Sequence, residues 1–306
     1  MSKSTVERPT TIIESPRLSA RLGSRVVVAS ETFQHTGSFK FRAAYNVAAN
    51  VPQKALLTAS SGNFGQALAY ACSLLGKSAI VVMPASSAAV KIAAVREYGG
   101  LVELVDTRHK SRAERVQELA AEHPEAYVAS PYDDPLVIAG NSSLGREIGA
   151  LGIAFDDVLV PVGGGGLSSG IVVGLTAASS RARVIGAEPL LANDAAQSLR
   201  AHRLVSNPTE PTTIADGART VSLGKHNWEI LEHGLAGIVE VSEENICEGV
   251  RLLFSLANLK AEPTGALSIG AILQDPERFA GRTLCCVVSG GNVDPTVYGG
   301  ILTGSH

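Results

Sequence analysis

The chain has 306 residues, which at about 150 residues per domain is enough for two domains, each with its own core. Lys and Arg number 26 against 29 Asp and Glu, a net charge of −3, and aromatic residues make up 5%; this excludes the basic, stacking surface of a nucleic-acid binder. A composition of 45% hydrophobic and 18% charged residues is globular rather than disordered.

In chain order, the opening MSKSTVERPTTIIE has no apolar h-region, so no signal peptide is expected. HTGSFKFRAA (35–44) places Lys40 after a Thr-Gly-Ser turn and between Phe39 and Phe41. From residue 55 short apolar runs alternate with stretches of helical spacing: ALLTA (55–59), SAIVVMP (78–84), LVELVD (101–106) and AYVAS (126–130), with helices near 63–75, 87–98 and 108–122. A second series follows: DVLVPVG (157–163), a helix near 166–179, RVIGAE (183–188) and LCCVVSGG (284–291). Such alternation implies parallel strands joined by right-handed crossovers, hence two doubly wound α/β units, the first 50 or so residues belonging with the second. The charge-free windows 55–76 and 158–180 have the length of a membrane span, but serines, an amide-rich turn and clustered glycines make each a strand, a turn and a helix instead. Cys72, Cys247, Cys285 and Cys286 form no CxxC or zinc spacing, and a reducing cytoplasm is the expected setting.

Ligands gather at the carboxyl ends of strands in open α/β sheets, which draws attention to three turns. GGGGLSSG (163–170) opens a helix, and its glycines allow close approach of an anion to free N–H groups. Gly164, Gly166 and Ser169 also fit a dinucleotide fingerprint, with Glu188 as the ribose acceptor, so a nicotinamide oxidoreductase stays open on these residues alone. Gly76-Lys77-Ser78 precedes a strand and is no Walker loop. SSGNFG (60–65) either caps its helix or offers donors to a carboxylate or phenolate. Lys40, desolvated between two phenyl rings, suits a Schiff base; beside a phosphate cradle it points to pyridoxal phosphate.

TGSFKFRAA, SSGNFGQALAYA, PVGGGGLSSG, TIADG (213–217), EPTGA (262–266) and SGGNVD (289–294) stand in the order found in the fold-type II pyridoxal-phosphate enzymes. Over nearly its whole length the chain resembles the serine racemase and serine/threonine dehydratase group. The resemblance implies two α/β domains of the tryptophan synthase β-like kind, a large cofactor-binding one from 1–53 and 134–306 and a small substrate-gripping one from 54–133. It also implies that Lys40 carries the cofactor, Phe39 packs on its ring, Asn63 bonds the ring hydroxyl and Ser289 faces the pyridine nitrogen. Gly163, Gly164, Gly165, Gly166 and Leu167 would hold the phosphate. Ser60, Ser61, Gly62, Asn63 and Phe64 would form the substrate side, with Ser61 as the second acid–base group opposite Lys40. Glu188, the Ala192 carbonyl and Asp194 would hold Mg²⁺ or a related divalent cation.

The implied activity is dehydration of a β-hydroxy amino acid to a 2-oxo acid and ammonia, with racemisation as a candidate second activity. Alternatives are β-replacement of the cysteine-synthase kind, the nicotinamide oxidoreductase, and a non-catalytic amino-acid sensor. The expected partner is a small amino acid, and the expected assembly a homodimer. Three positions depart from the group: Phe64 stands where His is usual, His35 where mammalian-type racemases have Lys, and Tyr132 where a polar residue is common. These turn the pocket apolar and bear on nucleotide activation and on whether serine or threonine is the substrate.

Overall fold

Parallel strands covered on both faces by helices need apolar side chains at successive positions, and the central strands of the protein follow that rule. A computed structural model describes residues 6–60, 62–87 and 89–305. Its strands are β1 (Thr11–Glu14), β2 (Arg25–Ser30), β3 (Ala55–Ala59), β4 (Ser78–Pro84), β5 (Leu101–Val105), β6 (Tyr127–Val128), β7 (Asp157–Pro161), β8 (Arg183–Pro189), β9 (Leu235–Val241) and β10 (Thr283–Val288). They form a six-stranded sheet in the order β1-β2-β10-β7-β8-β9 and a four-stranded sheet in the order β5-β4-β3-β6. All pairings are parallel except β1 with β2, at the edge of the larger sheet.

The centre of the larger sheet is β10, whose Cys285 lies opposite Val27 on one side and Val158 on the other. Adjacent strand residues face opposite ways, and Cys285 and Cys286 accordingly enter different core clusters, one with Leu144 and Ile171, the other with Val26 and Leu267. All four cysteines are buried thiols.

The expected helices appear as Asn63–Leu74, Ala89–Glu97, Arg112–Glu122 and Gly166–Ala177. The third starts later than the apolar spacing suggests. Asp106 turns its carboxylate onto the Arg108 N–H, and Ser111 with Glu114 forms a capping box that fixes the first turn. The expected strands at 101–106 and 126–130 are also modified. β5 is an edge, with Leu101 62% exposed, and β6 ends after two residues because Ser130 Oγ accepts from the N–H groups of Tyr132 and Asp133. Lys77, no phosphate ligand, donates to the carbonyls of Ala48 and Val51 at 2.6 Å each.

The helix Lys40–Asn50 is shared between the two units. It follows β2 of the larger sheet, yet Phe41, Ala44 and Val47 join Phe64, Leu68 and Val81 in the core of the smaller one. The helices Pro135–Gly149 and Gly166–Ala177 approach so closely that a Cβ on Gly174 would lie 2.3 Å from the Ser142 carbonyl, which accounts for glycines in a window otherwise apolar enough for a membrane. Among the described residues no helix is long and apolar enough to cross a membrane.

A buried ion cluster fixes the shared helix. Arg42, fully buried, donates to both oxygens of Glu31 at 2.7 and 3.0 Å and to both of Glu147 at 2.6 and 3.1 Å. Burial pushes the Glu31 carboxyl up while the Arg42 guanidinium pulls it down. Removing one partner of such a cluster strands the other, at a cost of about 3–5 kcal/mol. Arg42→Ala should lower the free energy of urea unfolding by that order, and an unchanged unfolding midpoint would contradict it.

Candidate active site

Lys40 is positioned by the turn before it. Thr36 and Gly37 take positive φ values of 60° and 74°, and Phe39 N–H donates to the Ser289 carbonyl at 3.0 Å, docking the turn on the end of β10. Lys40 is then the first residue of its helix. Its Nζ donates to the Pro131 carbonyl at 2.7 Å and lies 5.0 Å from the centroid of the Phe39 ring and 5.8 Å from that of Phe64. Burial lowers the lysine to about 8, against the opposing attraction of Glu262. A substantial neutral fraction near neutral pH is what a nucleophilic amine requires.

On one side of Lys40 is an amide–carboxylate ring. Asn63 Nδ2 donates to both oxygens of Glu262 at 3.0 and 3.2 Å. Asn63 Oδ1 accepts from Asn292 Nδ2 at 2.8 Å, and the same nitrogen donates to the Thr36 carbonyl at 2.7 Å. Burial pushes Glu262 up to about 7, with Asp216 adding to the rise.

Pro131 leads directly to the glycine turn. A Cβ on Gly164 would fall 2.4 Å from the ring of Tyr132, and Gly165 adopts φ +93°, so the turn must be glycine to pass beneath this tyrosine. Asn227 Nδ2 donates to the carbonyls of Tyr132 and Gly164 and ties the two segments together. Leu167 is buried in the first turn of Gly166–Ala177, where N–H groups lack helical partners, a geometry suited to an anion.

Ser289 Oγ, 1% exposed, has no hydrogen-bond partner among the described residues. A buried hydroxyl without a partner costs free energy, and a ring nitrogen arriving beside Lys40 would satisfy it. A desolvated lysine, first-turn amides for a phosphate, and a buried hydroxyl for a pyridine nitrogen together fit pyridoxal phosphate.

On the substrate side, Ser60 Oγ accepts from the N–H groups of Gly62 and Gly65 at 3.3 and 3.1 Å; its hydroxyl caps the helix, the plainer of the two readings of that turn. Ser61 lies outside the described residues. Phe64 is 1% exposed and makes one wall apolar where a histidine would be polar. His35 packs on Phe41 and Tyr70, with ring centroids 4.7 and 5.5 Å apart.

Glu188 is fully buried and its two oxygens accept from Ala195 and Ala196 N–H at 2.9 Å each. It caps the helix Asp194–Ala201 rather than facing a ribose, which removes the dinucleotide reading of the glycine turn. Asp194 Oδ1 accepts from Asn207 at 2.9 Å, while Oδ2 is buried without a partner among the described residues. Ala192 is buried beside them in sequence. No cluster of three or more His, Cys, Asp or Glu suited to a metal occurs among the described residues.

The residues that sequence reasoning missed are Glu262, Asn292, Asn227 and the Pro131 carbonyl. The first two lie in EPTGA and SGGNVD, where motif membership was their signal. The other two reach the site only through tertiary structure.

A neutralisable lysine and an anion-binding glycine turn, meeting at the carboxyl ends of two parallel sheets, define an α/β enzyme that holds a phosphorylated carbonyl cofactor. The chain belongs to the family of pyridoxal-phosphate dependent enzymes, which it matches over residues 3–290. It is 36% identical over 299 residues to an L-threo-3-hydroxyaspartate ammonia-lyase of Pseudomonas sp, covering 96% of this chain and 93% of that one. It is 35% identical over 297 residues to the serine racemase of Homo sapiens, covering 94% and 87%. Among solved structures, a T.th. threonine deaminase superposes with a TM-score of 0.89 at 41% identity, covering 94% of each chain.

Proposed function

We propose that the protein eliminates water from a β-hydroxy amino acid to give a 2-oxo acid and ammonia, with racemisation as a second activity. The observation that carries this reading is Lys40: an amine lowered to about 8, held by one carbonyl, one residue from the tyrosine that packs on the glycine turn. The names of the related ammonia-lyases, deaminase and racemase support it.

Pyridoxal phosphate, when bound, supplies an electron sink for the negative charge that develops at the substrate α-carbon. Lys40 would hold the cofactor, and its amine, when free, would be the base that takes the α-proton. Phe39 offers its face to the ring, Asn63 its amide to the ring hydroxyl, and Gly163 to Leu167 their N–H groups to the phosphate. Ser289 would offer a hydroxyl, not a charged carboxylate, to the ring nitrogen. Ser60, Ser61, Gly62 and Asn63 are assigned the substrate carboxylate, with Phe64 as the apolar wall. Interconversion of antipodes needs an acid or base on each face of the α-carbon, and Ser61 is assigned the face opposite Lys40.

A divalent cation is part of the proposal. Burial and the charge of Asp194 hold Glu188 well above the usual carboxylate range, and burial pushes Asp194 up to about 7. Two acids so raised, one with an unpartnered oxygen, fit a hard cation held by Glu188, Asp194 and the Ala192 carbonyl. A cytoplasmic setting is likewise proposed, supported by four thiols that are all buried and unpaired.

Lys40→Ala should abolish both the visible absorbance of bound cofactor and the release of ammonia from β-hydroxy amino acids. Normal turnover in that variant would overturn the assignment.

Both metal-site carboxyls have raised folded values, so without a cation their stabilising, protonated form is fully present at acid pH and is lost as pH rises through about 7. Cation binding needs the ionised form and adds stability by mass action. Mg²⁺ should therefore raise the melting temperature relative to EDTA above pH 7, with the difference shrinking below it. Equal melting with Mg²⁺ and EDTA on the alkaline side would refute the site.

A further inference from the structure

Glu262 is a buried carboxylate at the lysine site with no role in the steps above. It begins the helix Pro263–Gln274, is 4% exposed, and its own N–H donates to the Gly290 carbonyl at 3.1 Å. A Cβ on Gly290 would lie 2.9 Å from Glu262 Oε1, so the glycine makes room for the carboxylate. The ring of hydrogen bonds through Asn63 and Asn292 leaves the Asn63 amide one orientation. Its nitrogen must face the Glu262 acceptors, because its oxygen accepts from Asn292 Nδ2.

The charged groups facing Glu262 come from three other elements. Lys40 begins the shared helix and feels the carboxylate's attraction. Asp216, on the short helical turn Asp216–Ala218, repels it, and Lys91 of Ala89–Glu97 attracts it while pairing with Asp216 at 2.9 Å. Of these groups only Lys40 is the reactive amine, and the attraction of Glu262 acts to keep it charged against its burial.

We propose that Glu262 is a positioning residue: it holds the Asn63 side chain in one orientation at the edge of the lysine site and sets a negative charge near the Lys40 nitrogen, so that positive charge there is held by the protein in place of solvent. The assignment rests on the reading of Lys40 as the cofactor lysine. It predicts that the charge of Glu262, and not only its shape, governs how the site titrates.

The test is a pH titration of the visible absorbance of the holoenzyme. A carboxylate beside a protonated nitrogen raises that nitrogen's pKa, so the neutral isostere in Glu262→Gln should move the spectroscopic midpoint down by about 1 pH unit or more. Glu262→Asp keeps the charge and should stay nearer the wild type. Asn63→Ala, which breaks the ring and removes a bond that favours the charged carboxylate, should loosen cofactor retention and move the midpoint in the same direction as Glu262→Gln but by less. A merely structural Glu262 would alter melting and cofactor retention in all three variants with one common midpoint. If Glu262→Gln fails to fold, Glu262→Ala is read in the same way. An unshifted midpoint in the neutral variant, beside a normal wild-type band, overturns the role of Glu262 alone. A wild-type protein with no visible band after incubation with pyridoxal phosphate overturns the reading of Lys40 on which it rests.

Discussion

The site depends on the desolvation of one amine. An ammonium in water is solvated on every side, whereas Lys40 has the Pro131 carbonyl at 2.7 Å and two phenyl rings about it. Removal of water disfavours the charged form, and Glu262 offsets only part of that effect. The residues around the lysine are arranged to keep this balance: Phe64 where a polar ring would rehydrate the nitrogen, Ser289 as a hydroxyl without a partner, and a glycine turn thin enough for Tyr132 to cover.

The two sheets each supply part of that environment. Asn63 follows β3 and Pro131 follows β6 of the smaller sheet, while Ser289 follows β10 and the glycine turn follows β7 of the larger one. The helix that begins at Lys40 follows a strand of the larger sheet but packs in the core of the smaller one, and the Arg42 cluster holds it two residues from the amine. Contacts between the units also run through Lys91 with Asp216 and through Asn63 with Glu262. A shift of one unit against the other would therefore change the surroundings of Lys40 directly.

Much of this was legible in the chain. Runs such as ALLTA and DVLVP are buried strands because parallel sheets covered on both faces leave no place for alternation, and Lys40 with the glycine turn was legible from chemistry and order. The edge character of β5 was not, because LVELV has the apolarity of an inner strand and only its neighbours decide its exposure. Glu188 fits the spacing of a ribose acceptor, but its carboxylate is claimed by two backbone amides, a competition that spacing does not reveal. Ser60 Oγ likewise accepts from two backbone N–H groups, those of Gly62 and Gly65. The influence of Glu262 on a lysine 222 positions away in sequence exists only once β10 and the lysine turn are docked.

The central claim is that burial makes the Lys40 amine available near neutral pH. The direct measurement is the pH dependence of the rate at which pyridoxal phosphate adds to the cofactor-free protein, followed by absorbance. A midpoint near 8 is the predicted result. A rate still climbing to a midpoint near the value of an ordinary lysine, about 10.4, would contradict it.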